Sequence, residues 1–161
     1  EFKIASGLST AIFTGDCVKL LGTGYIDECD AGDRILGVFA GCSYVNSSGE
    51  QVFSRQWTAS ATTQGSVDVT AYIYSDPNIV YAVQSAGSAD FADIGQLADI
   101  VATAGDTNTG QSKHEISGTT GTGTAGLRIL GLYEEPKNAY GTNGVLEVQI
   151  YEHELTFATG V

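Results

Sequence analysis

A short phrase occurs twice in this chain, and it restricts the fold more than any other feature. It reads Gly32-Asp33-Arg34-Ile35-Leu36-Gly37-Val38-Phe39 early and Gly126-Leu127-Arg128-Ile129-Leu130-Gly131-Leu132-Tyr133 late. Each copy has a polar entry, a compact apolar run, and a Gly inside that run. A fully buried strand reads this way, the Gly marking a bend, a bulge or a close backbone approach. Two such strands in one small domain are expected to line the same core. Chance resemblance between two core strands explains the repeat equally well, and neither reading supplies chemistry.

The 161 residues fit one domain. Nineteen acidic residues face seven basic ones, a formal charge of −12. Such a surface repels nucleic acid and anionic membranes, so neither is expected as a partner. No apolar run approaches the ~18–20 residues that cross a bilayer as a helix. The cysteines are Cys17, Cys29 and Cys42. Their odd number, their apolar surroundings and the absence of metal spacing point to buried reduced thiols and to assembly in a reducing cytoplasm.

Taken in order, residues 1–12 read as an extended N-terminal arm and 13–161 as a single β-rich domain. Cys17 to Leu21 and Tyr25 to Cys29 form a hairpin across Gly22-Thr23-Gly24. Gln51 to Trp57 reads as a strand. Val67 to Tyr74 alternates, and Ile79 to Val83 is expected to pair back on it across Asp76-Pro77-Asn78. Phe91 to Ala102 is the one helix candidate: Phe91, Ile94, Leu97, Ala98 and Val101 fall near one helical face, with Ser88 or Asp90 as cap. Gly95 costs it ~1 kcal/mol relative to Ala, so the helix is expected to be short or broken. Residues 105–126 are Gly- and Thr-rich and read as a long loop with one short strand around His114. Val145 to Tyr151 alternates as a half-buried strand. The fold class is therefore mainly β: a β-barrel or β-sandwich of short antiparallel strands, with at most one short helix around 90–102.

Chemistry is hard to find in the sequence. His153 lies in Glu152-His153-Glu154, where alternation puts the two acids on one strand face and the imidazole on the other, so a solvated edge is expected rather than a metal site. His114 beside Glu115 reads as solvated. Asp27, Glu28, Asp30 and Asp33, with Asp16 nearby, offer a calcium site or, more simply, a solvated acidic turn. A hydrolase reading would place its carboxylates at Asp27, Glu28 and Asp33, but no motif supports it. Gly121-Thr122-Gly123-Thr124 lacks the preceding strand, following helix and Lys of a phosphate loop. Trp57 with Tyr44, Tyr72 and Tyr74 can be drawn as a sugar-stacking platform, which gives the alternative function of a carbohydrate-binding β-sandwich. No cofactor and no metal is expected, and the chain reads as a non-enzyme.

Residues 12–45 run Ile12-x-x-Gly15-Asp16-x-Val18-x-Leu20, then a hairpin, then Ala31-Gly32-Asp33-Arg34-Ile35-Leu36-Gly37-Val38-Phe39-Ala40-Gly41 and Tyr44. With VFSRQW (52–57), AYIYSDPNIVYAVQ (71–84) and RILGLYEEPKNAYG (128–141), this resembles tailed-bacteriophage capsid decoration, or cement, proteins over nearly the whole chain. It is similar, more loosely, to lambda-type head decoration proteins. The three cysteines depart from the pattern. The resemblance implies a non-enzymatic homotrimer on the outer surface of the virion capsid. It would be assembled in the host bacterial cytoplasm and bound to the major capsid protein. The apolar arm (Phe2, Ile4, Leu8, Ile12, Phe13) is the expected capsid contact, by strand addition to a capsid sheet edge. Tyr44 and Trp57 are the expected trimer seam.

Overall fold

The computed structural model describes residues 1–121 and 126–156. Its strands are, in chain order, β1 (Phe2–Ile4), β2 (Ile12–Phe13), β3 (Cys17–Leu20), β4 (Ile26–Glu28), β5 (Gly37–Val45), β6 (Gln51–Ser54), β7 (Gln56–Trp57) and β8 (Val69–Tyr74). The second half contributes β9 (Val80–Gln84), β10 (Ser88–Ala89), β11 (Leu97–Ala98), β12 (Ile100–Val101), β13 (Glu115–Ile116), β14 (Leu127–Leu132), β15 (Gly141–Thr142) and β16 (Val145–Ile150). The protein is mainly β, built from several antiparallel sheets, and among the described residues the sheets do not close into a barrel.

Two sheets organise the chain. The first runs β1-β8-β5-β3-β4, with β6 also paired to β5; the second runs β11-β14-β16-β9. Each has its own apolar cluster. Ile4, Ile12, Val18, Leu36, Phe39 and Trp57 pack beneath the first. Ile35, Ile116, Leu127, Ile129, Leu146 and Val148 pack beneath the second. Alternation explains the division: along β16 the inward residues are Leu146, Val148 and Ile150, as period two demands.

The repeated phrase behaves as two core-lining segments, since Ile35 and Ile129 share one cluster. The copies are not equivalent in backbone. The first enters its strand only at Gly37, where a Cβ would lie 2.2 Å from the Tyr74 carbonyl oxygen, so β5 and β8 approach too closely for a side chain. In the second, Leu127–Leu132 is strand throughout, a register shift falls between Ile129 and Gly131, and nothing lies within 4 Å of a Cβ on Gly131.

Two expectations are corrected and one is narrowed. The arm at 1–12 is not free: β1 pairs with β8, β2 pairs with β7, and Ile4 and Ile12 are fully buried. Their apolar side chains are worth more in the core than as an exposed contact. The helix candidate over Phe91–Ala102 shrinks to one 3-10 turn at Phe91–Asp93, within the short or broken helix expected, while Leu97–Ala98 and Ile100–Val101 are strands. Gly95 takes φ +84, which ends the turn and returns the chain to the sheet. Lastly, Val80–Gln84 does not fold back on Val69–Tyr74. The chain turns at Asp76-Pro77-Asn78 but crosses between sheets, and β9 pairs with β16. The first hairpin stands as expected, with β3 paired to β4.

Candidate functional site

The side chains that converge come from three places: Asp16 in the turn before β3, Glu28 at the end of β4, and His114 from the long Gly- and Thr-rich segment. Backbone hydrogen bonds fix Asp16 from both sides. The Asp16 N–H donates to the Phe13 carbonyl (2.9 Å), and the Phe39 N–H donates to the Asp16 carbonyl (2.9 Å). Its own Oδ2 accepts from the Phe13 N–H at 2.6 Å. Glu28 is carried alongside by pairing with Val18. The long segment is then docked on top: the Ser112 N–H donates to the Thr14 carbonyl (2.9 Å). The His114 N–H donates to Ser112 Oγ (2.9 Å). Gly15 permits this approach, because a Cβ there would sit 2.9 Å from the Ser112 Cβ.

His114 Nε2 lies 2.9 Å from Glu28 Oε1 and 3.5 Å from Asp16 Oδ1. Its Nδ1 faces the Cys17 N–H at 3.3 Å. A backbone N–H can only donate, so Nδ1 accepts and the ring proton sits on Nε2, directed at Glu28. The imidazole therefore works as a strut between β3, β4 and the long segment.

Asp16 is fully buried, and its Oδ1 has no hydrogen-bond partner among the described residues. Burial pushes its carboxyl above the ordinary range, against the opposing effects of the Ser112 side chain, the Phe13 N–H and His114. Beside the cluster lies a cleft of about 270 Å³, lined by Thr14, Cys17, Tyr81, Ser112, His114 and Leu127 among others. That is slightly below the span of pockets holding drug-sized ligands, roughly 300–1,000 Å³.

The arrangement does not fit nucleophilic catalysis. Cys17 is adjacent, but burial, then the Asp16 charge, raises its thiol to about 12, so the thiolate is negligible at neutral pH. Ser112 Oγ meets the His114 backbone rather than its ring. An imidazole acting as base must present a lone pair to the nucleophile, whereas this Nε2 carries a proton toward a carboxylate. Two carboxylate oxygens and one imidazole nitrogen lying within 4.8 Å of one another are instead a donor set for a divalent metal.

Neither His114 nor His153 is the solvated residue expected. Glu152, His153 and Glu154 are all buried, because the Ile35–His153 bridge draws this segment against the first copy of the repeat. Of the expected acidic cluster, Asp16 and Glu28 come together at His114, and Asp33 is engaged elsewhere. Asp33 pairs with Lys19 Nζ at 2.6 Å and accepts from the Asp30 N–H, while Glu28 turns to His114. Burial raises the Asp33 carboxyl, but Lys19 and that N–H outweigh it and hold it below its ordinary value.

The remaining expected site residues are buried or, for Phe2, Leu8 and Tyr44, half-buried. Ile4, Ile12 and Phe13 are buried, and Phe2 and Leu8 pack against the first cluster. Trp57 is fully buried, donating its indole N–H to the Leu8 carbonyl (3.3 Å) under the edge of Tyr44. It can neither form a trimer seam nor stack on a sugar. Buried apolar area around a large ring is the stronger demand, and the sequence offers no other Trp. Of the Gly121-Thr122-Gly123-Thr124 stretch, only Gly121 lies within the described residues.

The three cysteines are free and buried, as expected. No family model, curated protein or solved structure matches the chain.

Proposed function

We propose that this protein is a non-enzymatic capsid decoration protein, acting as a homotrimer that clamps major capsid protein subunits on the outside of an assembled phage head. The observation carrying the proposal is an aromatic flank on the outer face of the first sheet. Phe53 is 76% exposed, Tyr74 59% and Tyr72 37%. Phe53 and Tyr72 border one shallow depression over Gly41, and Ser43 Oγ hydrogen-bonds the Tyr72 hydroxyl at 3.0 Å. Aromatic side chains at this exposure are what a lattice neighbour covers, and interfaces are enriched in them. This flank replaces the N-terminal arm as the capsid contact. The resemblance to cement proteins and the acidic surface support the same reading, as do the reduced, buried thiols of a protein assembled in a bacterial cytoplasm. A protein binding only the assembled lattice stabilises it by mass action, and three linked copies multiply weak contacts.

The test is cosedimentation of the purified chain with capsids lacking it, together with the heat resistance of those capsids. Binding that raises shell stability, and that Phe53→Ser with Tyr74→Ser weakens, is the expected result. Capsids equally heat-resistant with and without the protein overturn it. A carbohydrate-binding module would instead give glycan-array signals dependent on Tyr72 and Tyr74, now without Trp57.

A further inference from the structure

We propose that Asp16, Glu28 and His114 form a binding site for one divalent transition-metal ion of the zinc class, which would pin the long Gly- and Thr-rich segment to the β3–β4 hairpin.

Three observations carry this. The first is the donor set. Two carboxylates and an imidazole favour zinc, cobalt or similar ions over calcium or magnesium, whose sites are built from oxygen alone. The second is separation. Zinc holds nitrogen and oxygen ligands at about 2.0–2.2 Å, so tetrahedral neighbours stand about 3.4 Å apart. The His114 Nε2 to Asp16 Oδ1 distance is 3.5 Å, that from Nε2 to Glu28 Oε1 is 2.9 Å, and all three donor atoms lie within 4.8 Å of one another. Small side-chain movements would admit the ion. The third is the state of one donor: Asp16 is fully buried, and its Oδ1, 3.5 Å from His114 Nε2, has no hydrogen-bond partner among the described residues. A buried carboxylate oxygen left unpaired keeps its full desolvation penalty, and a bound cation removes it.

The metal-free geometry also fixes what binding must change. The Nε2 proton has to leave, and the ring proton then resides on Nδ1, opposite the Cys17 N–H. Two donors cannot face each other, so the ring tilts away from that 3.3 Å contact. Glu28, with its side chain 22% exposed, is the ligand nearest solvent and the route of entry. The site is independent of the capsid reading, because it concerns how the body is held together rather than what its outer face touches.

The experiment uses the full chain treated with a chelator, then titrated with Zn²⁺ by calorimetry and with Co²⁺ by visible absorption. One equivalent of Zn²⁺ is expected, with a rise in thermal midpoint. Co²⁺ should give the intense absorption of a four- or five-coordinate ion, and the Cys17 amide resonance should shift. Glu28→Gln is the decisive variant, because its amide oxygen can still accept from His114 while losing the charged ligand. It should weaken binding at least tenfold, since even loss of an outer-shell partner typically costs 10–100-fold. Glu115→Gln, beside His114 but outside the trio, should bind as wild type. Absence of both heat and absorption in the wild-type chain overturns the proposal without recourse to any variant. So does a Glu28→Gln chain that binds as tightly as wild type. In either case the trio is a hydrogen-bonded strut only.

Discussion

Gly126 packs directly on Ile35: a Cβ at position 126 would lie 2.7 Å from the Ile35 Cδ1. The two copies of the repeated phrase therefore meet in space, the opening glycine of the second against the buried isoleucine of the first. Gly126→Ala should overpack this contact and destabilise the fold by about 1–3 kcal/mol. Ile35→Val removes the Cδ1 itself and should cost about 0.5–1.5 kcal/mol alone. Combined, the two should cost less than their sum, because valine makes room for the new methyl. Urea unfolding of the four-member cycle measures this, and strict additivity would show that the contact does not couple the copies.

Gly37 and Gly131 occupy the same place in the phrase and should respond oppositely. At Gly37 a Cβ meets the Tyr74 carbonyl at 2.2 Å and the Ile73 side chain at 2.8 Å. Backbone cannot yield as a side-chain tip does, so Gly37→Ala should separate β5 from β8 and cost at least ~2 kcal/mol. At Gly131 a Cβ meets nothing within 4 Å, so Gly131→Ala should be neutral or slightly stabilising. Equal losses at both positions in chemical denaturation would contradict this contrast.

Local patterning made the strands legible where alternation was clean. Val145 to Ile150, the β3–β4 hairpin and the repeat itself follow from residue order. The Phe91–Ala102 stretch was misleading because its apolar spacing suits a helical face, while Gly95 at φ +84 and pairing with β13 and β14 decide otherwise. The N-terminal arm failed for a related reason: Ile4 and Ile12 look available in sequence, yet any exposed apolar strand beside an open sheet edge is drawn in. The trio at Asp16, Glu28 and His114 was only partly visible. Asp16 and Glu28 could be grouped through the hairpin, but His114 lies 86 residues from Glu28, and only the docking of the long segment brings it there.

The thiols should be silent in the native state. Cys17, Cys29 and Cys42 are buried, and burial raises Cys17 and Cys42 to about 12 and Cys29 higher still, with the Asp16 charge adding to the rise at Cys17. Reaction with an aromatic disulfide reagent should need unfolding, and all three should then react at one common rate set by opening of the chain. One thiol reacting in seconds in native buffer would mean that its sheet opens separately.

Stability should fall on mild acidification, and His153 should be responsible. Its ring is buried, with Nδ1 accepting the Leu155 N–H at 3.2 Å and Nε2 without a hydrogen-bond partner among the described residues. Burial holds it below its ordinary value of 6.5, although the Ser75 backbone, Asp76 and Glu154 favour the charged form. The unfolded chain thus takes up a proton near pH 6.5 that the folded chain refuses. The contribution of His153 is complete above that pH and is lost as pH falls through the folded value, at most about 1.4 kcal/mol per pH unit. Asp16 has the opposite sign. Its folded value is raised, so the folded chain binds the proton first, and the cost of its buried charge disappears as pH drops toward 3.8. Urea midpoints between pH 7.5 and 4 separate the two. His153→Gln should remove the decline just below pH 6.5, whereas Asp16→Asn should remove the compensating gain at lower pH and leave the variant more acid-sensitive there than wild type. A His153→Gln curve parallel to wild type across the whole range would show that this ring does not set the acid response.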